Sequence, residues 1–178
     1  MTVATLTLPS GQVHLRRAVR DDLTPLIRLL ADDAISASRG DAAREQDRPA
    51  YERAFDVIDS DPGQQLIVAT TAEGELIGTM QLTVIPGLSR QGSSRLQIEA
   101  VRVRSDQRGK GIGGAMIRWA MDVAPGMGVR LVQLTSDAAR EDAHRFYERL
   151  GFVASHVGFK YSVPAGVPAD QSAADIAP

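Results

Sequence analysis

The chain has 178 residues, 43% of them hydrophobic and 24% charged, with a formal net charge of −2 and no cysteine. That size and balance fit one globular domain with its own core. They exclude a disulfide framework, thiolate metal sites and a cysteine acyl intermediate, and the lack of a basic excess argues against a nucleic-acid partner.

In chain order, residues 1–12 read as a short flexible arm closed by Pro9-Ser10-Gly11. Val13 to Arg20 reads as a strand. Asp21 and Asp22 then offer an N-cap to a helix over 22–36, because Leu23, Leu26, Ile27, Leu30, Ala31 and Ala34 recur at helical spacing. Arg39 to Arg48 is a charged connection. Pro49 suits the first turn of a second helix, with Tyr51, Ala54, Phe55 and Ile58 on one face. Gln65–Thr71 and Glu75–Ile85 form a hairpin, and Arg95–Arg104 is a strand apolar on both faces, as a central strand should be. A glycine-rich turn leads into a helix marked by Ile112, Met116, Trp119, Ala120 and Val123. Val129–Thr135 is a strand, and Ala138–Leu150 a helix ending on Gly151. Phe152–Val163 reads as a last strand or hairpin, and 164–178 as a disordered tail. The expected fold is thus α/β, in the order βααβββαβαβ, with a mixed sheet, helices on both faces and a single domain over 13–163. No run of about 20 apolar residues is present. The first residues do not read as a signal peptide. The expectation is a cytoplasmic protein with no membrane partner.

The turn is the sharpest feature. Arg108-Gly109-Lys110-Gly111-Ile112-Gly113-Gly114 places four glycines in six positions at the start of a helix. The N–H groups of such a start have no intrahelical partner, and the helix dipole adds partial positive charge, so the place suits a phosphate. Glycine lets the backbone come close, and Arg108 and Lys110 add charge. The pattern GxxxxGK[ST] is absent. GxGxxG is present at Gly109, Gly111 and Gly114, but it follows several antiparallel-looking strands and has no strand-end acid at the right place. A plain connection without a ligand is the remaining reading.

The segment IEAVRVRSDQRGKGIGG resembles motif A of the GNAT superfamily, [RQ]-x-x-G-x-[GA], filled by Arg108, Gly111 and Gly113. AHRFYERLGF resembles the family's motif B, through Ala143, Tyr147, Gly151 and Phe152. The two stand in the right order, one helix and one strand apart. The stretch from Leu134 to Lys160 also resembles a branch of small bacterial GNAT proteins of unassigned substrate. The resemblance implies an N-acetyltransferase with acetyl-CoA as co-substrate. The backbone from Arg108 through Gly109, Lys110, Gly111, Ile112 and Gly113 to Gly114 would hold the pyrophosphate. The strand Val101-Arg102-Val103 would be splayed from its neighbour, with main-chain groups of Val101 and Val103 pairing the pantetheine amides. The Val101 N–H would stabilise the oxyanion, and Tyr147 would protonate the departing thiolate. By itself Tyr147 also reads as a core aromatic on an amphipathic helix.

Glu99 stands in an apolar strand on the face of Val101 and Val103, where desolvation would raise its pKa toward a useful base. The competing reading is a structural carboxylate paired with an Arg. In one departure, Arg140 occupies the place where many relatives carry an Asn that binds pantetheine. Arg140 would make another contact, or Ser136 and Asp137 would substitute. His144 reads more readily as exposed or capping than as a relay. Asp32, Asp33, Glu45 and Asp47 could recognise a cationic acceptor. No His/Asp/Glu cluster has ligand spacing, so no metal is expected. The partner implied is a small-molecule amine, or a peptide, acetylated directly in a ternary complex. Proteins of this kind are commonly dimers, which makes a homodimer an expectation. The alternative is a non-catalytic acyl-CoA-binding domain serving as sensor or interaction module.

Overall fold

The computed structural model describes residues 2–32 and 43–163. Asp33, the first part of the charged connection and the 164–178 tail lie outside the described residues.

Six strands form one sheet in sequence order: β1 (Thr2–Leu8), β2 (Gly11–Arg17), β3 (Gln64–Thr70), β4 (Leu76–Ile85), β5 (Ser94–Val103) and β6 (Val129–Leu134). All neighbours are antiparallel except β5 and β6, which are parallel and joined through a helix. The four main helices are α1 (Leu23–Ala31), α2 (Arg48–Ser60), α3 (Ile112–Val123) and α4 (Glu141–Arg149). Among the described residues no helix is long and apolar enough to cross a membrane.

Two differences from the expected order stand at the ends of the chain. Thr2–Leu8 is a strand, not an arm. Ala4, Leu6 and Leu8 alternate onto the core, and Leu6 stands opposite Val13 across the turn at Gly11. Phe152–Val163, expected as a strand, is in no strand or helix. A strand needs a neighbour for its backbone groups, and this segment meets none within the described chain.

The alternation of side chains along β3 divides the interior. Ile67 and Ala69 join Leu15, Met80, Leu96, Ile98, Met116 and Ile117 in the larger core, between the sheet and α3. Val68 faces the other way, into a smaller core with Leu23, Leu26 and Phe55 from α1 and α2. Helices therefore cover both faces, as expected. Gly78 lets α3 approach closely. A Cβ there would lie 3.1 Å from the Arg102 carbonyl oxygen and 3.3 Å from Met116 Sδ. On the opposite face Asp22 ties α1 to β2. Its carboxylate takes both Nη atoms of Arg16, at 2.6 and 2.8 Å, and the Val19 N–H at 2.8 Å. Burial pushes this carboxyl up, but Arg16 and the Val19 amide outweigh it and hold it below the usual carboxylate range.

Candidate active site

β5 carries the centre of the site. Its pairing with β6 runs from Ser94 to Ile98 opposite Leu134 and stops there, while β5 continues to Val103. Beyond Ile98 no described strand pairs with the β6-facing edge of β5. In the same stretch the register with β4 slips. Thr79 pairs with Arg102 and Gln81 with Glu99, so Met80 stands opposite both Ala100 and Val101. This is a β-bulge, and Ala100 takes a left-handed φ of 50° to make it.

The bulge reassigns faces. Leu96 and Ile98 before it, and Val101 and Val103 after it, all pack on the α3 side. Glu99 shares the other face with its register partner Gln81. Two expectations about Glu99 are thereby corrected. It lies on the face opposite Val101 and Val103, and it is exposed, not desolvated. The extra residue at Ala100 flips the alternation, so that Val101 and Val103 leave the face on which Glu99 stands.

After Val103 the chain makes a tight turn at Ser105–Gln107 and passes Gly109 (φ 78°) and Gly111 (φ 83°), the latter the N-cap of α3. The first amide to bond back into the helix is that of Ala115, to the Gly111 carbonyl at 3.0 Å. The amides of Ile112, Gly113 and Gly114 belong to the unpaired first turn. They border a cleft of about 290 Å³ lined by Val103, Gln107, Arg108, Gly109, Gly111–Gly114 and Phe146. Among the described residues no carboxylate lines it. Asp106, the one acid in the turn, is bonded by Arg104 (2.6 and 2.9 Å), which holds its carboxyl down at about 2. A Cβ on Gly113 would enter this cleft, 3.6 Å from Val103 and 3.9 Å from Phe146. Glycine amides, a helix dipole and a described lining without acids fit a pyrophosphate.

Arg108 behaves differently from the simple charge donor expected. Its Nε donates to the Val103 carbonyl (3.0 Å) and its Nη2 to the carbonyl of Asp32 at the end of α1 (3.1 Å). It clasps the turn to β5 and to α1. Lys110 is exposed and donates to Gln107 Oε1 at 2.9 Å. On the open edge, the Val101 carbonyl accepts from Arg102 Nη1 at 2.8 Å.

α4 forms the other wall. Tyr147 is half-buried, edge-on to Phe146 at 5.1 Å and to Phe152 at 5.9 Å, in the same packed cluster as Val101 and Val103. Burial pushes its phenol above the usual value, against the pull of the Arg102 and Arg140 charges. Arg140 begins α4 and thus acts electrostatically on Tyr147; Ser136 lies half-buried in the loop before it. His144 Nε2 pairs with the Asp137 carbonyl at 2.9 Å, a tie within that loop.

On the α1/α2 side a second cavity, of about 170 Å³, reaches β5 at Ala100. Leu23, Leu26, Ile27, Tyr51, Ala54 and Phe55 supply most of its wall, with Thr79 and Gln81 from β4. Thr79 Oγ1 donates to the Ile67 carbonyl (2.9 Å) and Gln81 Nε2 to Gln64 Oε1 (2.6 Å). Sequence reasoning placed Tyr51, Ala54, Phe55 and Ile58 together on one helical face but did not read the face as a cavity wall. It also missed Phe146 as a cleft wall and Asp32 as a tether. Neither has a local signature beyond an amphipathic helix and a helix end.

Comparison with known proteins agrees with this geometry. Residues 26–152 match the Acetyltransferase (GNAT) family. A 63-residue stretch is 38% identical to the aminoalkylphosphonate N-acetyltransferase of Salmonella typhimurium LT2, spanning 35% of this chain and about two fifths (41%) of that protein. Among solved structures, a transcriptional regulator from Bacillus halodurans C-125 is 43% identical, covers 85% of this chain and 99% of its own, and superposes with a TM-score of 0.78. An acetyltransferase from Trypanosoma brucei is 25% identical, with coverage of 85% and 99% and a TM-score of 0.70. With the family matched from α1 to the end of motif B, and the glycine turn and open strand edge lying inside that match, the chain belongs to the GNAT acetyltransferase family.

Proposed function

We propose that the protein transfers an acetyl group from acetyl-CoA directly to the amine of a small acceptor. The observation that carries the reading is the juxtaposition of a glycine-lined cleft, without an acid among its described lining residues, with an open strand edge and a half-buried tyrosine on the adjoining helix. The first-turn amides of α3, with Gly109 and Gly111, hold the pyrophosphate. The edge of β5 at Val101 and Val103 receives the pantetheine arm by main-chain hydrogen bonds. Acetyl-CoA brings an activated thioester. The chain has no cysteine, which supports direct transfer over a covalent detour.

The residues divide the remaining work by face. The bulge at Ala100 turns the Val101 N–H so that it donates where negative charge develops on the carbonyl oxygen. Tyr147, kept protonated by burial, gives its proton to the leaving sulfur, and the Arg102 and Arg140 charges stabilise the phenolate left behind. Glu99, exposed beside Gln81 on the opposite face, takes the proton of the incoming ammonium, directly or through water.

The cavity that reaches Ala100 from the α1/α2 side holds the acceptor. A cavity of about 150 Å³ lined by aliphatic and aromatic groups holds a benzene ring, so 170 Å³ suits a ring-sized apolar body. Among the described residues no cationic side chain lines it, Thr79 Oγ1 donates to the Ile67 carbonyl and one N–H of the Gln81 amide donates to Gln64. An amine with an apolar body therefore fits better than an aminoalkylphosphonate. The test is release of CoA thiol from acetyl-CoA with a panel of aryl and branched alkyl amines, polyamines and aminoalkylphosphonates. The protein contributes no thiol background. Turnover greatest with the apolar amines is expected. Binding of acetyl-CoA without turnover of any amine would favour the sensor reading, and no binding would end both.

A further inference from the structure

Arg108 joins two parts of the molecule that the proposed reaction uses separately. Its Nε donates to the Val103 carbonyl at the end of β5 (3.0 Å), and its Nη2 to the Asp32 carbonyl at the end of α1 (3.1 Å). The guanidinium also stands 3.7 Å from the Asp32 carboxylate, but the two side chains are 53 and 44% exposed, and so loose a pair contributes little. The carbonyl bonds differ in kind. The last carbonyls of a helix have no intrahelical donor and stand at the negative end of its dipole. A charged donor on one of them fixes the helix end with a bond roughly twice as strong as a neutral one.

Each end of this tie belongs to a different cavity. Arg108 lines the cleft of the glycine turn beside Gln107 and Gly109. Asp32 closes α1, its N–H on the Arg28 carbonyl at 3.1 Å, and Leu23, Leu26, Ile27 and Leu30 of that helix wall the apolar cavity. The Arg108 amide bonds the Ser105 carbonyl at 3.3 Å, and Gly109 follows with a φ of 78°. Glycine leaves such a backbone free to move, and a pyrophosphate on its amides would hold it still. We propose that Arg108 is a positioning residue for the acceptor: through its bond to the Asp32 carbonyl, acetyl-CoA in the glycine turn sets the end of α1 and so shapes the cavity that takes the amine. This rests on the acceptor's placement in that cavity. It makes the two substrates cooperative, each tightening the other by the same factor. Lysine cannot replace the tie, because its single ammonium lacks the fixed fork that spans carbonyls of two elements. A plain charge for phosphate, by contrast, lysine supplies well.

Two variants test this, Arg108→Met, which keeps much of the stem and loses every donor, and Arg108→Lys, which keeps the charge. The side chain is exposed, so both should fold, as their thermal transitions report. The KM for the panel's best aryl or branched alkyl amine is expected to rise about 5-fold or more in both, with the dissociation constant of acetyl-CoA from calorimetry nearly unchanged. Rescue of either constant by lysine would make Arg108 a plain charge and overturn the proposal, as would a KM unmoved in both variants. Amide hydrogen exchange gives a readout that needs no acceptor. Acetyl-CoA should slow exchange at residues 29–32 in the wild type and leave it unchanged in the variants. Equal slowing in all three chains, or none in the wild type, overturns the proposal. A wild type that binds acetyl-CoA but acetylates no amine would count against acetyl transfer, and the exchange result would then decide for or against the tie. A wild type that does not bind acetyl-CoA would overturn both.

Discussion

The role proposed for Tyr147 rests on the surroundings of its side chain. Packed against Phe146 and Phe152 and half out of water, its phenol is pushed above its usual value. It is therefore the neutral, proton-donating form that is present throughout the neutral range. Replacing it with Phe removes the donor and keeps the packing. The expected loss in kcat is about 10²–10⁴-fold, with the dissociation constant of acetyl-CoA nearly unchanged, as calorimetry beside steady-state kinetics would show. In the wild type, rates should hold through mildly alkaline pH, because the donor is lost only as pH rises through the raised phenol value. A basic limb falling near neutrality and absent from the Phe variant would contradict the assignment. The position of Tyr147 was legible in the sequence, since motif B names it. The behaviour of Glu99 was not, because a bulge at Ala100 has no marker in residue type and every face downstream depends on it.

At the level of elements, the union of β2 with α1 rests on Asp22. Asp22 is 7% exposed, and its carboxylate accepts from both Nη atoms of Arg16 and from the Val19 amide. Removing one member of a buried pair strands the other, so Asp22→Ala should cost about 3 kcal/mol in chemical denaturation. The sign of the pH effect follows from the direction of the shift. Asp22 titrates lower folded than unfolded, so its contribution is full above the unfolded carboxylate value of about 3.9 and is lost as pH falls through the depressed folded value. The wild type should therefore lose stability on acidification below about pH 4 more steeply than the Ala variant, as urea midpoints at a series of pH values would reveal. The helices and inner strands were readable to within a few residues from their periodicity. The two termini were not. Thr2–Leu8 alternates plainly, but so short a run at a chain end reads equally as an arm, and its partner β2 decides. Phe152–Val163 carries a strand's pattern, yet pattern supplies side chains for one face and says nothing of where the backbone finds a partner.

Across the whole molecule, the proposed reaction would set its two substrates on opposite faces of the sheet. The cleft at α3 lies on one face and the apolar cavity of α1 and α2 on the other, and β5 borders both, at Val103 and at Ala100. Filling the cavity should thus affect one substrate alone. Ala54→Phe places a ring where the acceptor's body would sit. It is expected to raise KM for an apolar amine by 10-fold or more, the effect of about 1.4 kcal/mol, with KM for acetyl-CoA unchanged. Equal rises for both substrates would show that the two sites are not separated in this way. No part of this division was visible in the sequence, where the two helices read only as amphipathic and the glycine turn as a phosphate site. It arises because one strand serves both faces.

That strand also makes the site a matter of counting. Ala100 offers no functional group, and many side chains could stand in its place. Its contribution is to be one residue more than β4 requires. A deletion there would keep Glu99, Val101, Arg108 and every glycine of the turn in the gene, yet would rotate all that follows to the opposite side of the sheet. Along β5, then, lineages should tolerate exchange of letters far better than change of length, and an insertion or deletion between Glu99 and Val103 would abolish the chemistry while leaving every recognisable motif intact.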